Sequence, residues 1–245
     1  MMDFSEEISL NQKIITEARP FEAPVLNQIK QYYRIGLTWS SNAIEGNTLT
    51  ESETKILLED GLTAGGKPLR DAYEALGHSK AYDYMFRLIH ETTVTEKDIL
   101  LFHRLFYEGI DKVNAGIYRK IPVFISGSSY ALPLPGDIPS AMKDFCHWLE
   151  KEKNNFSPVE FSALAHQKFV FIHPFIDGNG RVGRLLMNTL LIQHGFLPVI
   201  IPPIRRNEYI SLLEKAHTDP NPFVDFIMEM EVESQRDLIR LLHLK

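Results

Sequence analysis

Twelve residues in the second half of the chain hold the side chains best suited to chemistry. They read HPFIDGNGRVGR and run from residue 173 to 184. His173 can accept a proton near neutral pH, as a general base must. Asp177 offers a carboxylate of the kind that holds Mg2+ together with substrate phosphates. The glycine turn at 178–180 exposes main-chain N–H groups at the start of a predicted helix, where anions bind.

Two arginines follow this turn. Arg181 and Arg184 are three residues apart, so both project from neighbouring positions of the predicted helix toward the same anion. The segment therefore combines a base, a metal ligand and a phosphate cradle, which indicates a nucleotide enzyme. A plain glycine turn between two helices is the alternative for GNG alone. The complete set of polar positions disfavours that alternative.

The segment resembles the HxFx(D/E)GNGRxxR signature of the Fic family, and every fixed position matches. The resemblance implies a mostly helical enzyme that transfers AMP from ATP to a hydroxyl side chain of a target protein and releases pyrophosphate. It makes His173 the base that deprotonates the hydroxyl, and Asp177 the ligand of Mg2+. Nucleotide contacts are expected at Asp177 and along the rest of the segment, at Gly178, Asn179, Gly180, Arg181, Val182, Gly183 and Arg184, the last on the γ-phosphate.

A second stretch, SNAIEGN at residues 41–47, resembles the (S/T)xxxE(G/N) inhibitory motif of many Fic proteins. The resemblance implies that Ser41 and Glu45 end a helix and that Glu45 pairs with Arg184. Glutamate and γ-phosphate would then compete for one guanidinium group. The alternative is an ordinary helix end with a solvated Glu45 and Gly46 as its cap. In some family members an equivalent glutamate positions a water that removes AMP from targets, so a reverse reaction is also open.

Helix signals dominate the elements that must position these groups. The apolar spacing of residues 23–44 predicts the helix that ends at the inhibitory motif. Thr50 with Glu53 forms a capping box, which is typical of a helix start, and Gly61 is expected to end that helix. Further helices are predicted over residues 71–90, 95–106, 157–173, 205–216 and 221–245. We expect an all-α Fic fold, a helical bundle in which residues 1–65 carry the inhibitory motif and residues 66–245 form the catalytic core, as one compact unit.

Residues 117–136 are the exception to this helical pattern. Val123, Phe124 and Ile125 favour a strand, and the prolines of the segment discourage a helix. The pattern predicts a short β-hairpin or an extended flap, with a proline-rich surface connection as the alternative. By resemblance, the flap from Val123 to Ser126 borders the nucleotide and docks the target backbone as an added strand.

Four other residues admit more than one interpretation. Tyr209 is expected to bind the nucleotide by lying against the adenine, as an aromatic does in related enzymes, or to pack in the core. His217 lies near the position of an amide side chain in several relatives and receives no role. His166 lacks HExxH-type spacing, so packing is favoured over metal binding. Cys146 lies in a largely apolar stretch and indicates a core thiol rather than a reactive one.

Composition limits the partners and the compartment. Hydrophobic residues make up 44% of the 245 residues and charged residues 24%, as in ordinary globular proteins. The formal net charge of -6 argues against broad nucleic-acid binding. The single cysteine excludes an intrachain disulfide and favours a reducing cytoplasm. Because no signal peptide and no apolar run of membrane-spanning length are seen, no membrane partner is expected.

We therefore predict a cytoplasmic protein adenylyltransferase that uses ATP and Mg2+ and is autoinhibited by Glu45. Its expected partner is a target protein with a Ser, Thr or Tyr hydroxyl, while self-modification and a homodimer are left open. One alternative is transfer of UMP, phosphocholine or phosphate by the same site. The other is a nucleotide-sensing binding module, although a sensor needs no base such as His173.

Overall fold

The computed structural model describes residues 3–63 and 65–245. Three residues of the predicted segment 1–65 lie outside the described residues, namely Met1, Met2 and Ala64. The described part consists of ten α-helices with short 3-10 turns and contains no β-strand. None of these helices combines the length and the apolarity that crossing a membrane requires. The α-helices are α1 (Phe4–Glu17), α2 (Ala23–Ile44), α3 (Glu51–Asp60), α4 (Leu69–Met85), α5 (Glu96–Tyr107), α6 (Ile138–Glu152), α7 (Pro158–Ile172), α8 (Asn179–Gln193), α9 (Arg206–Lys215) and α10 (Asn221–Leu241).

The predicted helix starts are confirmed where capping chemistry was visible. The Thr50 hydroxyl accepts a hydrogen bond from the Glu53 N–H at 3.2 Å, and the Glu53 carboxylate accepts one from the Thr50 N–H at 2.7 Å. Ser157 begins α7 with the same reciprocal pattern. Gly61 ends α3 with a positive φ of 69°, which glycine adopts without strain. The helix predicted over 71–90 is shorter than expected, and α1 and α6 were not predicted.

Helix α8 lies at the centre of the molecule. Leu185 and Leu186 belong to a core shared with α2, α4, α5, α6 and α7. Met187 and Leu191, on the other side of the same helix, belong to a second core shared with α1, α9 and α10. Each fully buried leucine stabilises the fold by roughly 1.5–3 kcal/mol. The helix that carries both signature arginines is therefore packed on two sides and held in place by both cores.

The predicted β-hairpin at residues 117–136 is wrong, and the segment is an extended flap. Arg119 is only 4% exposed. Its guanidinium donates to the main-chain carbonyls of Ile121 at 3.1 Å and Pro133 at 2.6 Å, and to that of His173 at 2.9 Å. These carbonyls are satisfied by a side chain, and the prolines offer no N–H. A strand ladder therefore has too few free partners to form.

Candidate active site

His173 is the residue at which the chain leaves α7. Its backbone is left-handed, with φ 50° and ψ 58°, a conformation that is uncommon without glycine and is often found at functional sites. The ring Nδ1 lies 3.2 Å from the carbonyl oxygen of Val170. Donation from Nδ1 leaves Nε2 as the free acceptor. Burial lowers the pKa of His173 below its usual value, so the ring is neutral at pH 7 and suited to take a proton.

Asn179 closes the signature turn from inside the protein. Its amide oxygen accepts from the Phe175 N–H at 2.9 Å, and its amide nitrogen donates to the Phe175 carbonyl at 2.8 Å. Phe175 is fully buried and stacks on the His103 ring at 3.8 Å. His103 Nε2 lies 3.1 Å from the carbonyl oxygen of Asp177. The turn between α7 and α8 is therefore held at both ends.

The start of α8 presents main-chain donors. The N–H groups of Asn179, Gly180 and Arg181 find no acceptor among the described residues. Gly178 has a φ of 81°, and a Cβ atom there would lie 2.8 Å from the Phe106 ring. Only glycine fits this position without strain, so the entry to α8 depends on Gly178. The free N–H groups and the positive end of the helix dipole suit an anion.

Arg184 is buried and held by several oxygens. Its Nη2 donates to Glu45 Oε1 at 2.8 Å and to the Ser41 carbonyl at 2.8 Å. Its Nε donates to the Ser41 hydroxyl at 2.9 Å, and its Nη1 to the Tyr209 hydroxyl at 3.2 Å. The contact expected between Glu45 and Arg184 is thus present. A Cβ atom on Gly180 would collide with the Glu45 carboxylate, so Glu45 also lies over the cradle.

Glu45 carries its charge in this position. Burial alone would raise the pKa of its carboxyl group, but Arg184 and Arg181 outweigh that effect and hold the pKa below its usual value. The paired guanidinium is likewise fully charged. The contact is therefore a charge-assisted hydrogen bond, the stronger class of such bonds.

Arg181 and Asp177 belong to a second cluster that sequence reasoning missed in part. Arg181 Nη1 lies 3.0 Å from Glu74, and its Nη2 donates to Asp177 at 3.2 Å. Arg70 donates to Asp177 Oδ2 at 2.7 Å and to Glu74 at 3.1 Å. Arg70 and Glu74 are four residues apart on α4, a spacing that places both on one face. That spacing was the available signal, although it is common on helices.

A cavity of about 260 Å³ opens between the signature turn, α9 and the flap. Seven residues predicted to act at the site line it, and Phe171 and His217 line it as well. Phe124 is 92% exposed and is not one of the residues that line the cavity. Val182 is buried in the first core, and Gly183 packs against His166. The seven predicted residues are Glu45, Ile125, Ser126, His173, Gly180, Arg184 and Tyr209, and Tyr130 of the flap lines the cavity beside them.

The flap closes one side of this cavity through two contacts. The Glu214 carboxylate accepts from the Ser128 hydroxyl at 3.2 Å and from the Ser129 N–H at 2.7 Å. His217 is stacked between Phe171 and Tyr130, at centroid distances of 3.5 and 3.7 Å. Sequence reasoning gave His217 no role. Its place between two rings makes it part of the cavity wall.

Two other residues lie where the sequence predicted. Cys146 is half-buried, and burial raises the pKa of its thiol to about 11, which leaves it unreactive near neutral pH. His166 is fully buried and bonds to the Tyr209 hydroxyl at 2.7 Å. No group of three or more His, Cys, Asp or Glu side chains in residues 3–63 and 65–245 could hold a metal ion.

Comparison with known proteins adds independent observations. Residues 93–191 match the model of the Fic/DOC family. The chain is 39% identical over 232 residues to "Protein adenylyltransferase Fic" of Drosophila grimshawi, which covers 93% of this chain and 48% of that relative. The chain thus spans about half the length of the curated relatives it matches.

Solved structures show a similar fold. Fic-1 from C. elegans superposes with a TM-score of 0.88 at 29% identity, covering 98% of this chain and 73% of that one. A Fic domain containing signaling protein from Bacteroides thetaiotaomicron gives 0.87 at 27% identity, covering 94% and 95%. The signature turn lies within the residues that match the family model.

Proposed function

The chain belongs to the Fic/DOC family, and from that premise we propose that it is a protein adenylyltransferase held inactive by its own Glu45. The observation that carries the proposal is the position of Arg184. This arginine faces the same cavity as His173 and the free N–H groups of α8, yet its Nη2 is bonded to Glu45. Relatives named as protein adenylyltransferases support the transferred group as AMP.

The site supports attack of a hydroxyl on the α-phosphorus of ATP. His173 Nε2 takes the proton as the hydroxyl oxygen forms its bond to phosphorus. The bond between that phosphorus and the bridging oxygen of the β-phosphate breaks, and pyrophosphate leaves with the electron pair. The cradle N–H groups, Arg181 and Arg184 stabilise the negative charge on the phosphates. Positioning and charge neutralisation therefore account for most of the catalysis.

Asp177 is the proposed ligand of Mg2+. Its carboxylate is 39% exposed at the edge of the cradle. One carboxylate together with substrate phosphates is a usual donor set for Mg2+, so this residue fits the ion once a nucleotide is bound. The bound ion would supply further neutralisation of the phosphate charge. Arg70, which now contacts Asp177 Oδ2, must give up that oxygen.

We propose that the target docks on the flap. The extended backbone at 123–126, with Phe124 exposed, offers main-chain groups for an added strand and an apolar side chain for contact. We propose further that residues 1–65 form an inhibitory segment and residues 66–245 the catalytic core. We also propose that the protein is cytoplasmic and that the enzyme released from inhibition modifies itself.

The test compares wild type with Glu45→Gly and a matched control, Glu59→Gly, in which an exposed helical glutamate away from the cavity is removed. Each is incubated with ATP, UTP or CDP-choline and Mg2+, and intact-mass spectrometry measures the protein and added candidate targets. We expect an added AMP only with ATP, and far more with Glu45→Gly than with either other protein. Tighter ATP binding without any added mass would contradict the proposal and favour a sensor. An added UMP, phosphocholine or phosphate would identify another transfer reaction.

The position of Glu45 also favours a second reaction, the removal of AMP from a modified target. Glu45 is ionised and lines the same cavity as His173, so it can orient a water molecule toward the phosphorus. We expect wild type to release AMP from a target modified by Glu45→Gly, and Glu45→Gly itself to release none. Equal release by both proteins would exclude this role for Glu45.

A further inference from the structure

Arg184 is held from two sides that differ in origin. Ser41 and Glu45 both come from the end of α2, the helix that carries the inhibitory motif. The Tyr209 hydroxyl comes from α9, on the opposite side. When the end of α2 withdraws, Ser41 and Glu45 are the contacts that can leave with it. Tyr209 is then the remaining side-chain contact that keeps the guanidinium in place.

The Tyr209 hydroxyl lies between Arg184 and His166 and can bond to both. A guanidinium can only donate, so the Tyr209 oxygen accepts from Arg184 Nη1. The same hydroxyl lies 2.7 Å from His166 Nε2, and its own hydrogen is available to that nitrogen. His166 is fully buried, and burial lowers its pKa to about 3, so the ring is neutral and its Nε2 accepts from Tyr209 when the proton is on Nδ1. Arg184, Tyr209 and His166 form a directional chain of hydrogen bonds.

Packing fixes the far end of this chain. A Cβ atom on Gly183 would lie 2.7 Å from His166 Nδ1, so the glycine makes room for the imidazole between α7 and α8. The Tyr209 ring is 2% exposed, with its centroid 5.9 Å from that of His166 and 6.1 Å from that of Phe223. The ring is surrounded by core residues. Its hydroxyl, by contrast, faces the guanidinium.

We propose that Tyr209 and His166 are positioning residues that keep Arg184 aimed at the γ-phosphate after Glu45 withdraws. This inference rests on the proposed function, in which Arg184 binds that phosphate. Tyr209 then acts through its hydroxyl, and its ring serves packing. The interpretation differs from stacking against the adenine, because a hydroxyl that acts on Arg184 matters only for nucleotides with a γ-phosphate.

Calorimetric titration of ATP and ADP separates the two interpretations. We compare Glu45→Gly with the double variant Glu45→Gly/Tyr209→Phe, which keeps the ring and removes one oxygen. Loss of a hydrogen bond to a charged group predicts ATP binding weaker by about tenfold. ADP binding should change by less than about twofold, since Arg184 has no γ-phosphate to hold. Unchanged ATP affinity, or equal weakening of ATP and ADP, would overturn the proposal.

His166 variants test the acceptor. Gln has an acceptor near the place of Nε2, whereas Phe keeps a ring without one. In the Glu45→Gly background, His166→Gln should keep most of the ATP affinity and His166→Phe should lose it as Tyr209→Phe does. A thermal melt checks that each variant is folded. If both variants are folded and bind ATP equally, the proposed role of His166 is wrong. If either variant is unfolded, the comparison of ATP and ADP binding by the Tyr209→Phe variant decides whether the proposal holds.

A measurement without nucleotide keeps this inference distinct from the proposed function. The Nη1–H signals of Arg184 in 15N NMR, assigned with Arg184→Lys, report on the group that donates to the Tyr209 hydroxyl. They should exchange slowly with solvent in Glu45→Gly and much faster in Glu45→Gly/Tyr209→Phe. The same exchange rate in both would overturn the proposal. If the rates differ as expected but Glu45→Gly transfers no AMP, the proposed function fails and the positioning role stands.

Discussion

The signature turn and the flap border the same cavity, but they are held in different ways. The turn is fixed by buried groups, above all the amide of Asn179 and the ring of Phe175. The flap is fixed at its tip by Glu214 and Tyr130, which lie near the surface. Segments with few buried contacts open locally at lower free energy than core segments. The residues proposed to do the chemistry are therefore rigid, while those proposed to receive the target can adjust.

Arg119 joins the two regions. It lies at the base of the flap and binds the carbonyls of Pro133 and Ile121 there, yet it also binds the carbonyl of His173. Its backbone N–H donates to the carbonyl of Pro174 at 2.9 Å. The left-handed backbone at His173 is thus supported from the flap side. The two regions differ in rigidity but share one anchor.

The largest expected effect is at the rigid turn. In the Glu45→Gly background, His173→Ala should lower the rate of AMP transfer by about 10³-fold, because it removes the base. Affinity for ATP should stay within about twofold, since the cradle N–H groups and Arg184 are unchanged. Radiolabelled AMP incorporation and calorimetry measure the two quantities, with the exposed His90→Ala as control. Joint loss of transfer and binding would mean that His173 supports the turn itself.

Removal of the shared anchor should affect both regions. Arg119→Ala leaves three buried or half-buried carbonyls without their donor, and we expect it to lower the free energy of unfolding by about 3 kcal/mol. Arg119→Lys should recover only part of this loss, because an ammonium group cannot span all three carbonyls. Urea denaturation measures both values. A loss below about 1 kcal/mol for Arg119→Ala would show that the regions are held independently.

A matched exchange of amide and acid compares the two regions directly. Asn179→Asp places an oxygen against the Phe175 carbonyl and should cost about 2 kcal/mol of stability. Glu214→Gln alters an exposed flap contact and should cost less than about 0.5 kcal/mol. Hydrogen exchange at 126–130 should nevertheless become faster in Glu214→Gln. Equal stability losses would contradict the difference in rigidity.

The smallest expected effect is on pH dependence. Because burial lowers the pKa of His173, the neutral ring persists to lower pH than in an exposed histidine. Transfer by Glu45→Gly should be constant from pH 8 down past about 6.5, the ordinary histidine value, and fall only below it. Rates at saturating ATP across this range measure the midpoint. A midpoint above about 6.5 would mean that the ring is more solvated in the active protein.

Local signals in the sequence predicted the starts of α3 and α7 and the glycine turn, because the residues that form them are neighbours in the chain. The contact between Glu45 and Arg184 joins residues 139 positions apart, and only the resemblance to known motifs connected them. Arg119 belonged to no motif, so its hydrogen bonds to the flap carbonyls were not predictable. A hairpin was expected instead. The direction of the Tyr209 hydroxyl likewise depends on three helices meeting.

The place of Glu45 at the end of α2 has a thermodynamic consequence. Gly46 follows it with a φ of 97°, and Arg206 Nε donates to the Ile44 carbonyl at 2.5 Å. The carboxylate proposed to inhibit the enzyme therefore depends on a helix terminus, the part of a helix that frays most readily. If about one molecule in a hundred has this turn open, the apparent ATP affinity falls about a hundredfold. A partner that unwinds or stabilises this turn would change the fraction of molecules with the turn open. The proposed rate of AMP transfer would then vary gradually with the concentration of that partner.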